Sequence, residues 1–285
     1  MDTSFEYTCD DIAWCPGCGN FPIREALIAA LDELGLDTTQ TVMVSGIGQA
    51  AKMPQYVNAN FFNGLHGRGL PPATAIKAVN PDLTVIAEGG DGDMYGEGGN
   101  HFLHAARRNP DITLLVHDNM VYGLTKGQAA PTTREGMVTP VQVHGVTAGP
   151  LNPLALAISM DVPFVARAFS GDHEHTKSLI KEAVNFKGFA LIDIFQPCVT
   201  FNKTNTFKWF KDNIYQLDES YDPEDRVAAF AKSLEEMPFP VGVLYRNPGR
   251  KTFEEGLEVY RENQAPIIKR QTNMTQLQAI IDSRR

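Results

Sequence analysis

Four stretches of this sequence are apolar almost without a break: "DLTVIAEGG" (82–90), "DITLLVHDN" (111–119), "VPFVARAF" (162–169) and "FALIDIFQPC" (189–198). A strand with one wet face alternates apolar and polar residues; a strand buried on both faces does not. Around these runs stand segments of helical period: "FPIREALIAALDELGL" (21–36), "PATAIKAVNP" (72–81), "GGNHFLHAARRNP" (98–110) and "HTKSLIKEAVNF" (175–186). An earlier strand signal, "TQTVMVSGIG" (39–48), runs into a glycine turn. The order predicts an α/β fold, a mostly parallel sheet with helices on both faces. In such sheets ligands bind beyond the carboxyl ends of the strands. From about residue 205 the texture becomes charged, aromatic and proline-punctuated. We read 1–204 as the core domain. Residues 205–285 read as a C-terminal extension with one or two helices and a late strand, packing on the core or a partner.

Composition narrows the partners. A net charge of −9 over 285 residues argues against a nucleic-acid surface, which needs clustered Lys and Arg. No apolar run approaches the ~20 residues that span a bilayer. The start, "MDTSFEYTCDDIAW", has no basic region followed by an apolar stretch, so it does not read as a signal peptide. A cytoplasmic protein is expected, and there four cysteines serve more often as metal ligands or redox groups than as disulfides.

The stretch "AEGGDGDMYGEGGNH" (87–101) poses a contradiction. Its six glycines form a phosphate cradle, yet Asp91, Asp93 and Glu97 in the same loop would repel a phosphate. A cation resolves it, because Mg²⁺ is commonly held by one or two carboxylates together with substrate phosphates. Asp91 could bind the metal, and the next strand end, "HDNMVYG", offers the Asn119 side-chain carbonyl and the Val121 backbone carbonyl. Two other readings stand beside this one. A loose dinucleotide fingerprint would use Gly96 as its offset third glycine and Asp118 for a ribose, and the stretch could also be a plain structural loop.

Cys9, Cys15 and Cys18 lie close together in "TCDDIAWCPGCGN", and Cys198 follows a strand in "FQPCVTFN". Four cysteines can supply the thiolates of a [4Fe–4S] cluster or of a structural zinc, or be unrelated thiols. His101 and His104 stand one helical turn apart without a third ligand and read as helix packing. Arg107 and Arg108 suit a helix C-terminus.

The "GDG" of residues 90–92, followed after residues 93–118 by Asn119, resembles the thiamine-diphosphate motif, in which the Asp, the Asn and a carbonyl two residues later hold Mg²⁺. Further segments occur in family order: "WCPGCGN", "SGIG", "GLHGRGLPPATAIKAVNPDLTV", "GGDGDMYGEGGNHFLHAARRNPDITLLVHDN", "YGLTKGQAAPTT" and "QPCVTFN". Together, over roughly 9 to 205, they look like the beta subunit of 2-oxoacid:ferredoxin oxidoreductases. The resemblance implies thiamine diphosphate, Mg²⁺ on Asp91, Asn119 and Val121, and a [4Fe–4S] cluster. It assigns Gly46, Ile47, Gly48, His66, Gly90, Asp91, Gly92, Asp93 and Asn119 to the cofactor, with His66 and Arg68 as contacts to the diphosphate or substrate. The family sequence often carries a cluster-ligating cysteine after "SGIG", where this chain has Gln49. The matching ligands are then Cys15, Cys18 and Cys198, and we favour Cys9 as the fourth.

The implied reaction is decarboxylation of a 2-oxoacid, with electrons passing singly through iron–sulfur clusters to ferredoxin and the acyl group to coenzyme A. In reverse it fixes CO₂. Lysines at positions matching Lys52 and Lys126 are implicated, in members that take 2-oxoglutarate, in holding the distal carboxylate. That makes succinyl-CoA the expected product, with pyruvate or a branched-chain 2-oxoacid as alternative substrates. Leu124 is a candidate for packing on the substrate chain. The Glu that activates the cofactor has no match here, so it is expected on an alpha subunit carrying the pyrimidine-binding and CoA-handling domains, in an alpha–beta or (alpha–beta)₂ assembly. The competing classes are a non-redox thiamine enzyme and a zinc-stapled binding module.

Overall fold

The structure is a computed structural model describing residues 4–8 and 11–285. The first helix, α1 (Asn20–Glu33), is followed by β1 (Thr41–Ser45), β2 (Asn60–Asn63), α2 (Leu70–Val79), β3 (Thr84–Gly90), α3 (Gly99–Arg108) and β4 (Thr113–Asp118). A short hairpin, β5 (Val121–Tyr122) and β6 (Gln128–Ala129), precedes α4 (Pro153–Ser159), β7 (Phe164–Phe169), α5 (His173–Asn185) and β8 (Ala190–Phe195). The chain continues with α6 (Phe207–Asp212), β9 (Ile214–Gln216), α7 (Arg226–Ser233), β10 (Phe239–Arg246) and α8 (Met274–Asp282). Eight strands form one sheet in the order β2-β1-β3-β4-β8-β7-β10-β9. All neighbours run parallel except β10, which is antiparallel to β7.

The uninterrupted apolar runs follow from this layering. On β4, Leu115 joins the core under α1 and α5, together with Leu27, Leu31, Leu179 and Ile180. Its neighbours Leu114 and Val116 enter the opposite core with Phe102 of α3 and Leu154 of α4. Consecutive side chains therefore feed opposite layers, and neither may be polar. Truncating one of these fully buried leucines to Ala would cost roughly 2–5 kcal/mol. Helix α1 ends where expected, with Gly35 just beyond it in the left-handed region at φ +63°.

The expected late strand is β10, and it extends the main sheet beside β7. The segment from 205 onward thus adds two strands to the sheet and, among the described residues, three helices rather than one or two. α6 and α7 carry caps that only their length conceals: Thr206 accepts from the Trp209 N–H, and Asp225 from those of Val227 and Ala228. Among the described residues no helix is long and apolar enough to cross a membrane.

Candidate cofactor site

Beyond the carboxyl ends of β1, β3 and β4, three loops close on one cavity of about 70 Å³. Ile47, Gly48 and Gln49 come from the first loop, Gly90, Asp91 and Gly92 from the second. The third brings Asn119, Val121 and Leu124, and His66 closes one side. The three expected metal ligands, Asp91, Asn119 and Val121, therefore meet.

The acidic glycine segment is not the open loop expected from its composition. Residues Gly92–Glu97 wind into a π-helical turn, in which the Gly98 N–H donates to the Asp93 carbonyl at 2.9 Å. Its glycines answer to packing as much as to a ligand. A Cβ on Gly92 would sit 2.2 Å from the Tyr122 ring, and one on Gly46 would sit 2.2 Å from the Asp93 carboxylate. At Gly48, which lines the cavity at φ +141°, a Cβ would meet no protein atom within 4 Å.

Asp93 binds the loops to one another. One carboxylate oxygen accepts from the Gly67 N–H at 2.7 Å and the Ile47 N–H at 3.1 Å, and lies 2.8 Å from His66 Nδ1. Its second oxygen is buried without a partner. Burial pushes its carboxyl up, against the pull of these donors. His66 also stands 3.4 Å from Glu97 and edge-on to Tyr122. The Tyr122 hydroxyl donates to Glu97 at 3.0 Å.

At the expected metal position carboxylates crowd together. Asp91 and Asp118 lie 2.6 Å and 2.7 Å from the single Thr132 hydroxyl. That hydroxyl has one proton, so it donates to only one of them. Asp193 adds a third buried carboxylate, which accepts from the Tyr95 hydroxyl at 2.9 Å. Arg167 is the cation paired with this cluster among the described residues, 3.5 Å from Asp193 and stacked on Phe195. Burial, opposed by the Thr132 hydrogen bond, pushes the Asp91 carboxyl up to about 7. Burial and the neighbouring Asp193 carboxylate push the Asp118 carboxyl well above the usual carboxylate range. A divalent cation at Asp91 would relieve this crowding, so the residues fit Mg²⁺. Asp118 is enclosed in this cluster and not free to take a ribose, which removes the feature that favoured a dinucleotide.

Met120 turns the chain between Asn119 and Val121 in the left-handed region, φ +59°. Such a residue costs on the order of 1–3 kcal/mol unless its surroundings hold it. Here the Met120 N–H donates to Asp118 at 3.2 Å, and the Thr133 hydroxyl donates to the Met120 carbonyl. Asn119 Oδ1 accepts from the Val121 N–H at 3.0 Å, and its Nδ2 donates to Gln196 Oε1 at 2.9 Å. The amide oxygen keeps a second lone pair for a cation.

Three thiols gather beside this site. Cys15-Pro16-Gly17-Cys18 is a tight turn closed by the Cys18 N–H on the Cys15 carbonyl at 2.9 Å, with Gly17 at φ +79° as a type II turn requires. The Gly19 N–H donates to the Pro197 carbonyl at 3.2 Å, which docks the turn on the segment carrying Cys198. Burial pushes the Cys18 thiol up to about 11, and Cys198 and Cys15 push the same way. Two donors point at sulfur: the Phe201 N–H at Cys198, 3.4 Å away, and Gln196 Nε2 at Cys18, 3.5 Å away. Among the described residues no three His, Cys, Asp or Glu side chains close on a single point as ligands of one metal ion do. Three thiols near one another, with N–H donors on two of the sulfurs, fit the thiolate set of a [4Fe–4S] cluster. Cys9 lies outside the described residues.

Other expected residues are not at the cavity. Gly46 stands behind it, making room for Asp93. Arg68 is exposed, and its charge depresses the ring of His101 after burial does. Lys126 is exposed at the tip of the β5–β6 hairpin, at φ +84°, and Lys52 is half-buried two residues past Ala50. His104 is exposed rather than packed. Arg107 and Arg108 occupy the last turn of α3, as expected. Thr132, Tyr122 and Gln196 were not singled out by sequence reasoning; their only signal was their place in the "YGLTKGQAAPTT" and "QPCVTFN" segments.

This geometry defines a thiamine-dependent class. Residues 37–194 match the C-terminal TPP-binding domain of thiamine pyrophosphate enzymes, and 198–262 match the C-terminal region of the pyruvate ferredoxin oxidoreductase beta subunit. Subunit beta of 2-oxoacid:ferredoxin oxidoreductase 1 from Aeropyrum pernix is 49% identical, over 86% of this chain and 80% of its own. The 2-oxoglutarate synthase subunit KorB of Archaeoglobus fulgidus is 35% identical, over 87% and 89%. The solved 2-oxoglutarate:ferredoxin oxidoreductase of Magnetococcus marinus, with 2-oxoglutarate, coenzyme A and succinyl-CoA bound, superposes with a TM-score of 0.90 at 35% identity, covering 97% of this chain and 94% of that one. The chain belongs to the family of 2-oxoacid:ferredoxin oxidoreductase beta subunits, which are parts of multi-subunit oxidoreductases.

Proposed function

We propose that this chain forms the diphosphate- and Mg²⁺-binding half of an enzyme converting 2-oxoglutarate, coenzyme A and oxidised ferredoxin to succinyl-CoA, CO₂ and reduced ferredoxin. The observation that carries it is the meeting of Asp91, Asn119 and Val121 at one cavity over a buried carboxylate cluster short of positive charge. When bound, thiamine diphosphate supplies the carbanion that opens a 2-oxoacid to loss of CO₂. The Asp91 carboxylate and the Asn119 and Val121 carbonyls would hold Mg²⁺, which would neutralise the diphosphate. Thr132 orients Asp91, and Asp93 ties its own loop to Ile47 of the first loop and to His66 and Gly67. Cys15, Cys18 and Cys198, with Cys9 as fourth ligand, would hold a [4Fe–4S] cluster, which would supply a one-electron acceptor. The same groups serve the CO₂-fixing direction.

The alpha subunit is proposed to supply the activating Glu. The edge strand β2 leaves Phe61 and Phe62 about half exposed, and Ile47 and Leu124 at the cavity are 40% and 41% exposed. Apolar side chains on an open sheet edge mark a surface that a partner covers. Expressed alone, the chain is therefore expected to decarboxylate no 2-oxoacid, measured as CO₂ release; turnover by the isolated subunit would place the activating acid within it.

Lys126 and Lys52 are proposed to hold the distal carboxylate of 2-oxoglutarate, since Lys126 directly follows Thr125 and Lys52 comes two residues after Ala50, both of which line the cavity. A hydrogen bond to a charged group contributes roughly 1.5–3 kcal/mol, on the order of tenfold to a hundredfold in kcat/KM. In the assembled enzyme Lys126→Ala and Lys52→Ala should each lose that much on 2-oxoglutarate and spare pyruvate. Equal losses on both substrates would assign the lysines to the cofactor.

A further inference from the structure

One buried amide joins the two halves of this site. Gln196 follows β8, is 1% exposed, and touches both the metal-binding turn and the cysteine turn. Its Oε1 accepts from Asn119 Nδ2 at 2.9 Å. Its Nε2 donates to the Pro197 carbonyl at 2.9 Å and lies 3.5 Å from Cys18 Sγ. The backbone groups at the two ends of this relay fix both amides. A carbonyl only accepts, so the Gln196 nitrogen faces Pro197 and its oxygen faces Asn119. A backbone N–H only donates, so Asn119 turns its oxygen to Val121 and its nitrogen to Gln196. Each end dictates the same orientation, and the second Nε2 hydrogen is left for the Cys18 sulfur. Close packing holds the side chain there: a Cβ on Gly19 would sit 3.0 Å from it.

We propose that Gln196 is a positioning residue with two simultaneous tasks, aiming the Asn119 carbonyl at the diphosphate cation and donating a hydrogen bond to the Cys18 thiolate of the cluster. The proposal rests on the cofactor assignment above. A hydrogen bond to a cluster sulfur stabilises the more negative, reduced form and so raises the reduction potential. Through one amide, a change in the coordination of Asn119 alters the bond that tunes the acceptor of the substrate's electrons. The cation site and the cluster are then coupled without sharing a ligand.

The test uses the full chain assembled with its partner subunit and purified without oxygen, with Gln196→Met and Gln196→Glu. Met fills the same space with neither donor nor acceptor, whereas Glu keeps the acceptor for Asn119 and places an oxygen where the donor to sulfur was. Each is assayed for iron and sulfide per chain, for the midpoint potential of this cluster by EPR-monitored titration, and for Mg²⁺-dependent thiamine diphosphate affinity. Gln196→Met should keep its iron, show a more negative midpoint by on the order of tenfold in the reduction equilibrium, about 59 mV for one electron, and bind thiamine diphosphate roughly tenfold more weakly. Gln196→Glu should show the same negative shift with thiamine diphosphate affinity within about twofold of the parent. A purely structural role would not move the potential of the uncharged Gln196→Met while its iron stays bound; in Gln196→Glu the added charge acts in the same direction as the lost donor, so that variant tests the Asn119 contact. An unchanged midpoint in iron-loaded Gln196→Met overturns the proposal; if Gln196→Met does not fold, the uncharged Gln196→Leu takes its place. A parent chain without iron and sulfide overturns the cluster assignment itself, a result distinct from an iron-loaded chain with an unmoved potential.

Discussion

Asp91→Ala is expected to weaken Mg²⁺-dependent retention of thiamine diphosphate by two orders of magnitude or more, while the cofactor-free chain stays folded. Removing one partner of a buried charge pair costs roughly 3–5 kcal/mol, and each 1.4 kcal/mol is about tenfold in affinity. The diphosphate would lose its counterion at the one carboxylate that both lines the cavity and is held in place by Thr132. The empty protein has little to lose. Asp91 is crowded by Asp118 and Asp193, and burial already disfavours its charge. Equilibrium dialysis with and without Mg²⁺, alongside thermal unfolding of the empty chain, separates the two effects. Unchanged cofactor affinity would remove Asp91 from the metal site.

Cys9→Ser is expected to lose or degrade the cluster while leaving Mg²⁺ and thiamine diphosphate bound. A [4Fe–4S] cluster takes four thiolates, and the chain has four cysteines in all. The structure gathers Cys15, Cys18 and Cys198. Gln49, at the position where the family sequence often has its fourth cysteine, is a neutral amide and a poor iron ligand beside thiolates. Its backbone carbonyl is engaged by the Trp14 indole N–H at 2.8 Å, next to Cys15. Cys9 lies six residues before Cys15 on the same segment, outside the described residues. Fewer irons per chain and a changed low-temperature EPR signal after reduction are the expected readouts. Full iron content with an unaltered spectrum would show that another group completes the cluster.

The layering was legible in the sequence because burial on both faces leaves a signature that nothing else does. The runs ending at Gly90, Asp118, Phe169 and Phe195 are all strands of one sheet. The gathering of Asp91, Asn119 and Val121 at one cavity was legible because they stand just past the ends of β3 and β4, where the loops of a parallel sheet converge. What escaped depended on contacts distant in sequence. No local pattern says that Gly46 and Gly92 are glycines to admit the Asp93 carboxylate and the Tyr122 ring, since each pair meets only across the folded loops. Thr132 reaches Asp91 across 41 residues, and Gln196 reaches Asn119 across 77. The π-helical turn was hidden because glycine-rich composition predicts a loop, and the bond that closes the turn, from Gly98 to Asp93, leaves no compositional trace. The metal-binding role expected of Asp91 and the cofactor contact expected of Asp93 take different forms: both line the cavity, but Asp91 stands with Asn119 and Val121, and the Asp93 carboxylate is engaged by Ile47, His66 and Gly67.

Iron, acid-labile sulfide and zinc analysis of the protein purified without oxygen tests the redox assignment most directly. A [4Fe–4S] site predicts about four irons and four sulfides per chain, with no stoichiometric zinc. One zinc per chain without sulfide would contradict it, leaving a thiamine-binding subunit stapled by a structural metal rather than one that carries electrons.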